Sequence, residues 1–146
     1  MNIQERLIKL FFGGVVAWIL FIVTTLAWHL WLFPEMNADL SNHTIKGADE
    51  WNYSSMIVFQ LGLAFVFTFI YQYYKKDTPA TLSGAMFGML MGAVIGAPLA
   101  IYMPQFTFGD TAWPYAQLVF TLFQSSFVGI AVAHTQGIKI KHINQD

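Results

Sequence analysis

Among the uncharged polar side chains inside the long apolar stretches of this sequence, the candidates from which chemistry could start are Thr25, His29, Gln60, Gln117 and Gln124. Thr25 and His29 are spaced i, i+4, so on a helix they share a face with Trp18 and Leu32. Gln117, Thr121 and Gln124 fall within about 60° of one another on a helix, with Ser125 beside them. Gln60 shares a face with Ala64 and Tyr71. Amides, hydroxyls and an imidazole both donate and accept hydrogen bonds. One chemistry open to the set is therefore a polar pocket for a small apolar or zwitterionic molecule, with His29, Gln60 and Gln117 at a similar depth. The plainer one is hydrogen bonding between helices, each bond contributing about 0.6 kcal/mol. An unperturbed imidazole titrates between about pH 5 and 8, but nothing else in the sequence builds a pH sensor around His29.

Reaction chemistry finds little to work with. The apolar stretches contain no Asp, Glu, Lys or Arg, which disfavours proton-coupled transport by a titrating acid. Ser54, Ser55, Ser125 and Ser126 stand in no G-x-S-x-G context. With no cysteine, thiol nucleophiles, Cys-ligated zinc, iron–sulfur clusters and disulfide scaffolds are excluded. His29 and His134 would differ in height by about 25–30 Å at helical rise, too far to ligate one haem iron. Glu35, Asp39, His43, Asp49 and Glu50 share one loop, with Asp39 and His43 at i, i+4. Carboxylates with an imidazole suit several divalent ions. That spacing is no known metal signature, and a solvated acidic loop is the expectation. The sequence thus reads as a non-enzyme with no metal and no cofactor.

The elements that must position these residues follow from composition. Of 146 residues, 56% are hydrophobic and only 10% charged, with a formal net charge of −1. Average globular usage is about 25% charged. Leu10 to Phe33, Trp51 to Tyr74, Thr78 to Gly109 and Thr111 to Ile138 carry no charge over 24, 24, 32 and 28 residues. A transmembrane helix needs about 20 apolar residues. Backbone groups in hydrocarbon must be satisfied within the segment, so the spans are helices. The runs are too long, and alternate too little, for a barrel. The reading is all-α: a four-transmembrane-helix bundle forming a single membrane domain over 1–146. Its spans cover about 7–33, 53–74, 80–103 and 112–134, with an outer loop at 34–52. Soluble, disordered and nucleic-acid-binding classes fall away with the missing charge.

Charged flanks give the direction. Arg6, Lys9, Lys75, Lys76, Lys139 and Lys141 lie on one side, and only Lys46 on the other. The positive-inside rule places both termini in the cytoplasm. Arg6 and Lys9 before an apolar run imitate a signal peptide. The run is longer than the roughly 7–15 residues of an h-region, and it ends on Trp28, His29, Trp31 and Pro34 rather than on small residues. It reads as an uncleaved first span. Asn42-His43-Thr44 and Asn52-Tyr53-Ser54 match the glycosylation sequon, as a polar loop does by chance.

Span three carries the strongest motif. Gly84, Gly88, Gly92 and Gly96 repeat every four residues, widened by Ala85, Ala93 and Ala97. They wind along one stripe about 18 Å long. Lipid is as apolar as leucine, so helices in a membrane associate by close approach, and glycine permits it. The stripe predicts a tight helix contact. Gly14 and Gly129 are candidate partners within the chain, and a second protomer is the other. Pro98 inside the span should free the Val94 carbonyl and bend the helix. Met86, Met89, Met91 and Met103 read as adaptable filler.

The chain also resembles a group of uncharacterised bacterial membrane proteins of similar length with four spans. The resemblance covers most of the chain. It rests on Leu26-Ala27-Trp28-His29-Leu30 with Leu32-Phe33, Trp51, Phe65 to Tyr71, Gly88-Met89-Leu90-Met91-Gly92, Ala97-Pro98, Tyr102, Trp113, Gln117 and Gly129. It implies the four-span architecture and marks His29, Pro98 and the span-three glycines as features of the group. It implies no activity.

Two functions remain. The first is a non-catalytic accessory or self-associating subunit of the cell membrane, the bacterial inner membrane on the resemblance. Its partners would be the lipid bilayer and either further copies of itself or a larger membrane complex. The second is a binder or carrier of a small apolar or zwitterionic molecule in an outward-facing pocket.

Overall fold

In a computed structural model the chain forms four helices, α1 (Ile3–Leu26), α2 (Tyr53–Tyr74), α3 (Ala80–Tyr102) and α4 (Ala112–Gly137). The structure describes residues 3–28, 53–74, 78–102 and 112–137, and no strand occurs among them. The outer loop 34–52, with its acidic residues and His43, lies outside the described residues, as does His29. Within the four helices, apolar stretches of 24, 18, 19 and 23 residues are long enough to cross a membrane. Four apolar helices of this kind are the form of a multi-pass membrane protein.

Two helices extend past the expected spans. α1 begins at Ile3 rather than near residue 7, because Glu5 in its first turn pairs with Lys9 one turn on, at 2.9 Å. An acid near a helix N-terminus with a base four residues later supports a polar first turn. α4 runs to Gly137 rather than 134, a residue type that ends helices readily. α3 starts directly after Pro79, whose carbonyl accepts the first turn's bond from the Ser83 amide at 2.9 Å. It runs on through Pro98 for four residues.

α2 is joined to the others mainly through α1, and α3 mainly through α4. α3 and α4 make by far the most intimate contact, α1 lies against both α2 and α4, and α2 hardly approaches α3 along its backbone. These differences follow from side-chain size. All four ladder glycines face α4 of the same chain. A Cβ at Gly84 would strike the Gly129 carbonyl, and one at Gly88 the Ser125 carbonyl. At Gly92 a Cβ would lie 2.8 Å from the Thr121 carbonyl oxygen, and at Gly96 2.9 Å from Leu118 Cδ1. Gly129 answers from α4, with its own missing Cβ directed at the Gly84 carbonyl. Gly14 takes a different neighbour: the ring of Phe65 on α2 lies over it.

The wide seam between α2 and α3 is filled by rings instead. Phe67 meets Phe87 edge to face at 4.8 Å, Tyr71 meets Phe87 at 5.1 Å, and Phe67 meets Phe21 of α1 at 5.7 Å. Such geometries add about 0.5–1.5 kcal/mol beyond burial alone. Ala17, Ala64, Val128 and Val132 complete this core. Met91 packs against it, whereas Met86 and Met89 face outward.

The glycine seam generates a paired prediction. Gly88→Ala should destabilise the bundle by about 1–3 kcal/mol, since the methyl meets backbone that cannot rotate away. Gly62, whose Cβ would meet nothing within 4 Å, is the control. Gly62→Ala should be neutral or stabilising by up to about 1 kcal/mol. Reversible unfolding in mixed detergent micelles measures both.

Candidate functional site

Four of the five polar candidates lie in one belt at the Trp28 end of the bundle. Gln124 of α4 turns its amide nitrogen to α1, donating to Thr24 Oγ1 at 2.7 Å, Thr25 Oγ1 at 2.9 Å and the Phe21 carbonyl at 3.2 Å. Gln60 of α2 donates to the same Thr25 hydroxyl at 3.0 Å. Gln117 is joined one level further along, where its Oε1 accepts from the Trp28 indole at 2.9 Å. The belt therefore ties α2 and α4 to α1 through one shared hydroxyl and a Trp–Gln bond.

The local structure explains this convergence. Gln117 and Gln124 are seven residues apart, two helical turns, and both meet α1. Thr121 and Ser125 are turned to the other neighbour: the Thr121 carbonyl and the Ser125 Cβ both lie at the Gly92 position. The expected face of Gln117, Thr121, Gln124 and Ser125 is thus divided between α1 and α3. Near its described end α1 widens into a π turn at Ala27 and Trp28, a feature common at functional sites.

Donor and acceptor directions are fixed by the surrounding groups. Thr24 gives its own proton to the Leu20 carbonyl at 2.6 Å, so toward Gln124 its oxygen accepts. The Phe21 carbonyl can only accept. The Gln124 nitrogen must therefore face α1. Its Oε1 has no partner among the described residues. Gln60 is 8% exposed, and its Oε1 is buried without a partner, as is Ser125 Oγ.

Of the pocket expected around His29, Gln60 and Gln117, the described residues show two members. Gln60 and Gln117 are drawn to α1 by hydrogen bonds, and His29 lies outside the described residues. Among the described residues a cavity lies beside the belt. It is a groove of about 450 Å³ between α1 and α4, open to the side. Thr24, Trp28, Phe120, Phe123, Gln124 and Phe127 line it. The Trp28 and Phe120 rings stack at 4.5 Å and 15°.

A second belt at the opposite end was missed by the sequence reading. Gln136 donates to the Lys9 carbonyl at 2.9 Å, and Gln72 to the Arg6 carbonyl at 3.1 Å and to Gln136 Oε1 at 3.3 Å. Nearby, Tyr71 bonds Ser83 at 3.2 Å, and Thr81 lies 3.2 Å from the His134 ring nitrogen. A signal was present: Gln72 and Gln136 stand twelve residues beyond Gln60 and Gln124 in their respective helices. Among the described residues no three His, Cys, Asp or Glu side chains gather to hold a metal ion.

The two glutamines of the first belt should respond differently to substitution. Gln124→Leu removes three contacts and should cost about 2 kcal/mol, at roughly 0.6 kcal/mol for each bond. Gln60→Leu removes one bond but also an orphaned buried oxygen. It should stay within about 0.5 kcal/mol of the parent, since an unsatisfied polar group is itself costly. Steric-trapping or micellar unfolding separates the two.

Compared with protein-family models, with curated proteins and with solved structures, the chain matches none.

Proposed function

We propose that this protein is a non-catalytic integral membrane subunit, with both termini in the cytoplasm, that acts by associating with other membrane helices. The carrying observation is that the polar side chains within the apolar helices hydrogen-bond one another and the α1 backbone. Among the described residues no carboxylate or lysine is fully buried, and the mostly buried Lys9 side chain is paired with Glu5 near the start of α1. What the bundle offers outward is apolar surface: only 28–33% of each apolar window is buried within the chain. Phe59, Val66, Phe69 and Tyr73 on α2 and Leu82, Met86, Leu90 and Val94 on α3 are exposed. The glycine ladder is occupied by α4 of the same chain, so association with further copies, or with a larger complex, falls to these faces. The six-to-one division of basic residues supports the orientation. By the resemblance, the membrane is a bacterial inner membrane.

A second reading, a binder or carrier of a small apolar molecule, is favoured by one observation. The groove between α1 and α4 is of ligand size, lined by aromatic rings and carries one amide.

Absence of cysteine makes both topology and assembly directly testable. Single variants Lys46→Cys and Lys139→Cys, probed on intact cells with a membrane-impermeant maleimide, should label at 46 and remain unlabelled at 139. Labelling at 139 overturns the orientation. Native mass spectrometry from membrane vesicles should find the chain in a species heavier than the monomer. A strictly monomeric protein overturns the subunit reading.

A further inference from the structure

We propose that the groove between α1 and α4 is a binding site for a lipid-soluble hydroxyarene, a flat aromatic head with a free hydroxyl and a hydrocarbon tail. This proposal rests on the binder reading and names its ligand class. Three features of the groove select that chemistry. Its walls are rings: the stacked Trp28–Phe120 pair at 4.5 Å, with Phe123 and Phe127 on the same helix as Phe120. Flat π systems stack favourably on such walls. Its volume, about 450 Å³, lies within the range of small-molecule sites. It opens sideways, so a tail can continue into the bilayer.

A fourth feature separates the proposal from an ordinary acyl chain. Gln124 is both a wall of the groove and the tie to α1. Its nitrogen is committed to Thr24, Thr25 and the Phe21 carbonyl, which leaves the amide oxygen as an acceptor without a partner among the described residues. In hydrocarbon an unmet acceptor is costly. An acyl chain leaves it unmet, and a ketone or ether adds a second acceptor. A hydroxyl donates to it. The bonds to α1 hold the amide in one orientation, so the acceptor is preset.

The test uses the full chain in lipid nanodiscs and two probes. One is an alkylated 1-naphthol with a diazirine on its tail, and the other is its methyl ether. The naphthol should label peptides of α1 and α4 around Trp28 and Phe123 saturably. The ether should need about tenfold more probe, the loss of one hydrogen bond. Gln124→Leu should bring the two probes to the same value. Phe123→Trp, at a side chain 73% exposed, narrows the groove without touching the belt and should suppress labelling by both. Equal labelling of the parent by both probes overturns the hydroxyarene assignment and leaves the binder reading standing. No saturable labelling by either probe overturns both. Saturable labelling that ignores Phe123→Trp overturns the location.

Discussion

Along α3 the side that meets α4 carries hydrogen in place of side chains, so the two backbones lie against each other, and the arrangement of the rest depends on that contact. Without water to exclude, helices in hydrocarbon gain by close approach and lose contact wherever a side chain intervenes. Gly84, Gly88, Gly92 and Gly96 remove the intervening atoms for about 18 Å. Gly129 does the same from the opposite side. One flank of α4, with Leu118, Thr121, Ser125 and Gly129, is thereby committed to α3. The flank that remains for α1 carries Gln117 and Gln124, so the glycine seam sets which way the glutamines face.

α1 is held by another device. Glutamine amides of the neighbouring helices donate to its main-chain carbonyls at Arg6, Lys9 and Phe21. A helix carbonyl already bonded along the helix keeps a second lone pair, so these bonds grip α1 without unwinding it. Gly13 clears the path: a Cβ there would lie 2.9 Å from the Gln136 amide and 2.7 Å from Thr68 Cγ2. The Trp18 indole adds the reverse contact, donating to the Ile57 carbonyl of α2 at 3.2 Å. Close packing on one side of α4 and amide-to-carbonyl bonds on the other thus divide the work of assembly. Phe67, Tyr71 and Phe87 fill the seam between α2 and α3, which neither device closes.

The groove lined by Trp28 and Phe120 follows from the same division. Where α1 meets α4 through long glutamine side chains rather than glycine, the backbones stand further apart. Large rings then line the gap instead of filling it. A small-residue seam such as that between α3 and α4 has no room for such a space.

Four apolar helices, their approximate limits and the close-contact face of α3 were determined by the sequence alone. They depend on local matters: the length of uncharged runs, proline and charge at the ends, and a four-residue glycine period. The polar side chains Thr25, Gln60, Gln117 and Gln124 were legible as candidates from their place within apolar runs. Trp28 and Thr24 as their partners were not, nor was the second belt of Gln72 and Gln136. Only the tertiary structure decided that α4 of the same chain occupies the ladder. Only there does it emerge that a groove lies between α1 and α4, and that Gln124 faces α1 while Ser125 faces α3. The reason is physical. A helix's own sequence sets which residues share a face, but which helix lies against that face depends on the packing of all four at once.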